Sequence, residues 1–336
     1  MLLSDFIYAL PEELIAQEPS AQRDQSRLLV VDRGRETIEH RKFADIVDYL
    51  RDDDLMVLND TRVVATRLHG CKETGGKVEA LMMKRLEPGV WEAMVKPARR
   101  IGVGSRLIFD RSLTAEVVSY TEEGGRVLRL AADSDPDELV AATGQVPLPP
   151  YIHKRLDDPG RYQTIYAASD GSAAAPTAGL HFTPAVLRAI ESKGIKMAFV
   201  TLHIGIATFR PVRTERIEDH QMHAEDYEIS EASAELINTA RGRIVCVGTT
   251  TARALESAAV AKRQVACGSG STGLFIRPPY HFKIVEALIT NFHIPKSTLL
   301  ILISALAGTA LIQKAYEEAV REKYRFLSFG DAMFIC

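Results

Sequence analysis

The feature that most constrains this chain is a change of hydrophobic period that happens twice. Up to about residue 60, and again after about residue 146, short apolar runs alternate with amphipathic stretches of helical spacing. Between them the period falls to two. Residues 66–68, 78–83, 91–95, 107–109, 113–119 and 127–130 have the pattern of short strands, punctuated by Gly75-Gly76, Pro88-Gly89, Gly102, Gly104 and Gly124-Gly125. So many strands in so short a stretch predict a small closed barrel rather than an open sheet. Outside it, apolar strands at 28–31, 55–58, 195–202 and 244–247 alternate with helices at 43–50, 185–192, 231–240 and 251–259. That alternation predicts a largely parallel sheet covered on both faces. The expected fold is an α/β main domain, residues 1–60 and 146–336, with a small all-β barrel domain inserted at 61–145. The run Pro147-Leu148-Pro149-Pro150-Tyr151-Ile152 serves as a stiff exit from the barrel.

Composition sets the setting. The 336 residues allow two domains, and nothing at the start has the basic-then-apolar form of a signal peptide. The longest apolar run, 299–312, is broken by Ser304 and Gly308 and falls short of the ~20 residues a bilayer requires, so it is expected in the core. Cys71, Cys246, Cys267 and Cys336 lie far apart, as free thiols of a reducing cytoplasm do. Net charge is -3, but it is unevenly spread: residues 1–60 carry -7, residues 61–145 carry +1 and residues 146–336 carry +3. An anionic partner is expected to avoid the first segment.

The chemistry-bearing residues gather where strands are expected to end. The run 173–183, Ala-Ala-Ala-Pro-Thr-Ala-Gly-Leu-His-Phe-Thr, joins small residues to Thr177, Gly179 and a lone His181. Thr183-Pro184 has the form of an N-cap followed by proline at the first helical position. Other strand ends carry Asn59-Asp60-Thr61-Arg62, His203-Ile204-Gly205, Gly248-Thr249-Thr250 with Arg253 and Glu256, Asn291-Phe292-His293 with Lys296, and Gly330-Asp331. Each alone has an ordinary structural reading as a cap or a turn; their repetition at several strand ends predicts a shared pocket.

Three other patterns are weaker. His220, His223 and Glu225 have the composition of a metal site but imperfect spacing, and no metal is expected. The run 268–273, Gly-Ser-Gly-Ser-Thr-Gly, lacks the Gly-Lys-Ser/Thr end of a phosphate loop and is expected to be flexible. No Gly-x-Ser-x-Gly elbow is present to support nucleophilic hydrolysis.

Taken in order, Arg27-Leu28-Leu29-Val30, Asn59-Asp60-Thr61-Arg62, the 147–152 connector, Tyr162-Gln163-Thr164-Ile165-Tyr166-Ala167, the 174–182 run, Thr201-Leu202-His203-Ile204-Gly205, Val247-Gly248-Thr249-Thr250, Thr290 to Leu299, Tyr324-Arg325-Phe326 and Gly330-Asp331-Ala332-Met333 carry a resemblance. The chain is similar over its whole length to the S-adenosylmethionine:tRNA ribosyltransferase-isomerases of queuosine biosynthesis. The resemblance implies transfer of the ribosyl part of S-adenosylmethionine to a 7-aminomethyl-7-deazaguanine at the tRNA wobble position, with rearrangement to an epoxycyclopentane and release of adenine and methionine. It implies no metal and no cofactor, S-adenosylmethionine being consumed. Departures from the family pattern are Ala207, Pro279 and Glu286; the first two restrict the backbone.

Such a reaction requires removal of a ribose proton beside the sulfonium and protonation of the departing adenine, for which histidine is suited. His181 and His203 are the expected proton carriers, with Asp60 and Asp331 as orienting carboxylates. Arg253, Lys296 and Arg325 are candidate anion binders, and Thr177, Gly179, Thr249, Thr250, Asn291 and His293 complete the expected substrate site. Arg99, Arg100, Lys154 and Arg155 are candidate tRNA contacts. A cytoplasmic monomer without membrane attachment is expected. The alternative is a non-catalytic protein that reads single-stranded RNA with its barrel.

Overall fold

The computed structural model describes residues 1–110, 112–122, 124–205 and 211–336. The chain forms two compact units, residues 1–62 with 149–336, and residues 63–148.

In the larger unit a sheet of nine described strands runs in the order Gly268–Thr272, Glu225–Ile229, Lys196–Leu202, Leu55–Asn59, Ile244–Val247, Ala287–Asn291, Ala332–Ile335, Arg27–Asp32 and Thr37–Lys42. The Leu55–Asn59 strand is buried at every position, as its uninterrupted apolar run requires. Side chains alternate between two cores: Leu29, Val57, Cys246, Leu288 and Met333 enter one, while Leu28, Met56, Val245, Ile289 and Phe334 enter the other. Four strands from Lys196–Leu202 to Ala287–Asn291 are mutually parallel. The sheet as a whole is mixed, not largely parallel, because Ala332–Ile335 runs antiparallel to Ala287–Asn291 and parallel to Arg27–Asp32. Two helices make that reversal. Thr298–Ala307 is buried along nearly its whole length, and Gly308, at φ 85°, ends it so that Thr309–Arg321 departs at 117°. No single described helix is long and apolar enough to cross a membrane. The 268–273 run is not a flexible loop: Gly268–Thr272 is a strand paired with Glu225–Ile229.

The smaller unit is a closed six-stranded barrel, in the order Arg126–Ala132, Val90–Lys96, Lys77–Glu87, Arg67–Lys72, Arg106–Asp110 and Leu113–Tyr120. Its pairings are antiparallel. Alternate residues such as Val78, Ala80 and Met82, or Leu113, Ala115 and Val117, fill the interior. At Gly70 a Cβ would lie 2.2 Å from the Ile108 carbonyl oxygen, so only glycine lets those two strands approach.

Candidate active-site cleft

Because four neighbouring strands are parallel, their C-terminal ends lie along one edge of the sheet. Buried Asn59 fastens that edge: its Nδ2 donates to the Leu202 carbonyl and to Thr250 Oγ1, and its Oδ1 accepts from the Thr61 and Leu202 amides. Beyond the strand ends, Ile204, Gly248-Thr249-Thr250 and Thr290 to Ile294 meet Ala175 to Ala178, Tyr151, Ser297 and Ser328 around a cleft of about 680 Å³. Among the described residues no Asp, Glu, Lys or Arg lines it, and its titratable groups are His293 and Tyr151.

Backbone amides supply the missing polarity. Helix Thr249–Ala258 opens at Gly248, held at φ 93°, and no side chain caps it, so its first amides are available where the cleft is lined by Thr249 and Thr250. The Thr298–Ala307 helix starts at the same cleft, and Ser297 caps it by accepting from the Leu300 amide at 3.1 Å.

His293 stands in the wall. Its Nε2 pairs with Thr290 Oγ1 at 2.9 Å, its amide donates to the Tyr316 hydroxyl at 2.9 Å, and the Tyr8 hydroxyl donates to its carbonyl. Burial pushes its pKa down to about 3, so the ring is neutral near pH 7 and can accept a hydrogen bond.

His181 lies one layer back. The Thr177 hydroxyl donates to Asn291 Oδ1 at 2.8 Å, and Asn291 Nδ2 donates to His181 Nε2 at 3.1 Å. Ser26 Oγ is 2.7 Å from His181 Nδ1 and itself donates to the Arg23 carbonyl, so Nδ1 carries the hydrogen. The ring stacks on Phe43 with centroids 5.0 Å apart. Burial, then Arg23 and Arg325, lower its pKa to about 3. His181 is thus a neutral acceptor that fixes the Asn291 amide, which with Thr177 faces the cleft.

The remaining residues singled out by sequence divide similarly. Thr177, Thr249, Thr250, Asn291 and His293 line the cleft. His203 is half-buried beside it, with Nδ1 2.8 Å from Thr61 Oγ1. Burial lowers its pKa, opposed by Asp226, Asp60, Glu228 and Asp170. Asp60 accepts from Thr201 Oγ1 at 2.7 Å. Asp331 is a buried clamp accepting from the amides of Arg27 and Arg325, both at 2.8 Å, and burial raises its pKa. Gly179 is required by packing, since a Cβ there would lie 2.0 Å from the Tyr166 hydroxyl. Lys296, at φ 60°, bonds through its backbone to Phe6 and Val212. Arg253 is buried in an ion pair with Glu225, which leaves that carboxylate engaged with arginine. No described cluster of His, Cys, Asp and Glu has the arrangement of a metal site, and His220 packs edge-on against Phe275.

Arg325 donates to Ser20 Oγ at 3.0 Å and to the Glu18 carbonyl, away from the cleft. Arg99 and Arg100 are exposed on the barrel turn Ala98–Arg100. In the larger unit, Lys154 pairs with Glu18 and Arg155 is exposed. Ala207 lies outside the described residues. Pro279 sits in a loop held by Glu256, which accepts from the amides of Lys283, Ile284 and Val285. Tyr151, Thr290, Ser297 and Ser328 also line the cleft; they lay inside the motifs quoted above or beside them, but nothing in their spacing marked them as lining.

Fold and site together define an α/β protein with a cleft at the carboxyl edge of its sheet and a closed β-barrel as a second unit. Residues 3–335 match the family described as "Queuosine biosynthesis protein", and the chain belongs to that family. It is similar to the S-adenosylmethionine:tRNA ribosyltransferase-isomerase of Acetivibrio thermocellus, with 52% identity across the whole of both chains. It is also similar to the crystal structure of the S-adenosylmethionine tRNA ribosyltransferase of Thermotoga maritima, with 38% identity, a TM-score of 0.58, and 99% of this chain and all of that chain covered.

Proposed function

We propose that this chain is an S-adenosylmethionine:tRNA ribosyltransferase-isomerase of queuosine biosynthesis. It transfers and isomerises the ribosyl group of S-adenosylmethionine onto 7-aminomethyl-7-deazaguanine in the tRNA anticodon, releasing adenine and methionine. The observation that carries this reading is the end-to-end identity with a relative of that name, together with a cleft at the carboxyl edge of the sheet. We assign catalysis to the unit formed by residues 1–62 and 149–336, working as a monomer in the cytoplasm; the four cysteines of the chain are free.

We assign proton exchange with the sugar and the departing base to half-buried His203 beside the cleft, with neutral His293 in the cleft wall as the second candidate. Thr177, Asn291, Thr249 and Thr250 orient the substrate, and His181 acts through Asn291. Asp60 and Asp331 hold strand ends in register rather than meeting the ligand. The exposed pairs Arg99/Arg100 and Lys154/Arg155 offer charge to tRNA. The deciding assay incubates the protein with S-adenosylmethionine and tRNA bearing the deazaguanine precursor. Adenine release that depends on that tRNA supports the enzyme; RNA binding without release supports a non-catalytic RNA-binding protein instead.

A further inference from the structure

A second, small and open pocket shares Ser328 with the cleft and is lined by Ser20, Arg23, Ser26, Arg161, His181 and Gly330 among others. Its charge is opposite in kind to the cleft's neutrality. Arg23 donates to the carbonyls of Leu180 and Gly160 at 3.1 and 3.0 Å. Arg161 donates to the Ser20 carbonyl, and Arg325 reaches Ser20 Oγ from the other side. All three guanidiniums are therefore committed to carbonyl and hydroxyl oxygens, and none forms an ion pair with a carboxylate among the described residues. Each offers five N–H donors, so most of their capacity is unspent, and buried Arg161 Nε has no partner at all. Burial, then the nearby Arg161, push the Arg23 guanidinium below its usual range, and Asp158 and Tyr166 oppose them only in part.

Two guanidiniums lining the pocket, with Arg325 bonded to the Ser20 that also lines it, have spare donors suited to the tetrahedral oxygens of a phosphate. We infer that Arg23, Arg161 and Arg325 bind a backbone phosphodiester of the RNA substrate, next to the nucleotide that enters the cleft. This rests on the tRNA reading above. Ser328, common to both pockets and 2.7 Å from the Tyr151 hydroxyl, then separates the phosphate from the reacting base.

The test measures affinity for a synthetic anticodon stem-loop against salt concentration, with S-adenosylmethionine binding as the control for folding. Arg161→Met should weaken RNA binding about tenfold and flatten the salt slope by roughly 0.7 per lost contact, leaving S-adenosylmethionine affinity unchanged. Arg161→Lys should keep most of the slope. Unchanged slope and affinity in a folded Arg161→Met protein would overturn the site. Should that variant fail to fold, wild-type protein is tested with stem-loops carrying a neutral methylphosphonate at either linkage flanking the modified nucleotide. One of the two should lose about tenfold in affinity; natural affinity for both overturns the site. Inorganic phosphate that binds wild type but not the variant, without displacing the stem-loop, would reassign the pocket to a free anion and overturn it as well. Failure of wild-type protein to release adenine from S-adenosylmethionine would instead overturn the enzymatic reading, a separate result.

Discussion

The wall of the cleft and the layer immediately behind it are built from different chemistry. The wall presents threonines, an amide side chain, one neutral histidine and the uncapped start of a helix, with no formal charge among the described residues. The layer behind holds the ionised and strongly bonded groups: Arg253 against Glu225, Asp331 across two amides, and His181 between Ser26 and Asn291. The contrast follows from solvation. A buried charge left without a partner is costly, so charges sit where the fold can pair them. A site that must empty and refill keeps to dipoles, whose desolvation costs little.

If that division is right, changes behind the wall should strike stability and changes in the wall should strike turnover. The largest effect falls on the Arg253–Glu225 pair. Arg253→Met strands a buried carboxylate and should lower unfolding free energy by about 3–5 kcal/mol in urea titrations; an intact fold with selectively lost S-adenosylmethionine affinity would place Arg253 in the wall after all. Next comes His293→Ala, which should reduce turnover at least ~100-fold while circular dichroism stays native. Near-normal turnover would remove His293 from the chemistry.

A third test concerns acid. His181 and His293 are held neutral with pKa values of about 3, against 6.5 when unfolded. The unfolded chain therefore binds more protons between those values. Their contribution is complete above pH 6.5 and declines as pH falls towards 3, by roughly 2 kcal/mol per ring at pH 5. Urea midpoints at pH 7 and pH 5 should show this fall, and His181→Gln should lessen it; an equal fall in that variant would mean the ring is not held neutral. The smallest effect lies outside both layers. Arg99→Ala/Arg100→Ala and Lys154→Ala/Arg155→Ala should each flatten the salt dependence of tRNA binding by about one unit per lost contact, and unchanged slopes in both would leave these pairs as solvated loop charges.

Much of this was legible in sequence. The double change of period gives the inserted barrel, because a two-residue repeat cannot serve a helix. The polar clusters after Val247 and at Thr290 to His293 give the cleft, because parallel strands align their ends. Two things were hidden. The antiparallel return of Ala332–Ile335 depends on the angle at Gly308, which no periodicity encodes. The division between wall and scaffold depends on partners far apart in the chain: nothing near Arg253 names Glu225, and nothing near His181 names Ser26. Segment charge does not resolve single side chains: Arg23, within a stretch of net charge -7, lines a pocket together with Arg161.

The place of Ala332–Ile335 in the sheet has a consequence for synthesis. It lies between Ala287–Asn291 and Arg27–Asp32, and it is translated some 300 residues after the latter. At about 5–20 residues per second the Arg27–Lys42 hairpin waits roughly 15–60 s for the strand that joins it to the rest of the sheet. During that interval the apolar side chains of Leu28, Leu29, Val30 and Val31 lack their final neighbours, and the nascent chain presents an unpaired edge of the kind that chaperones shield.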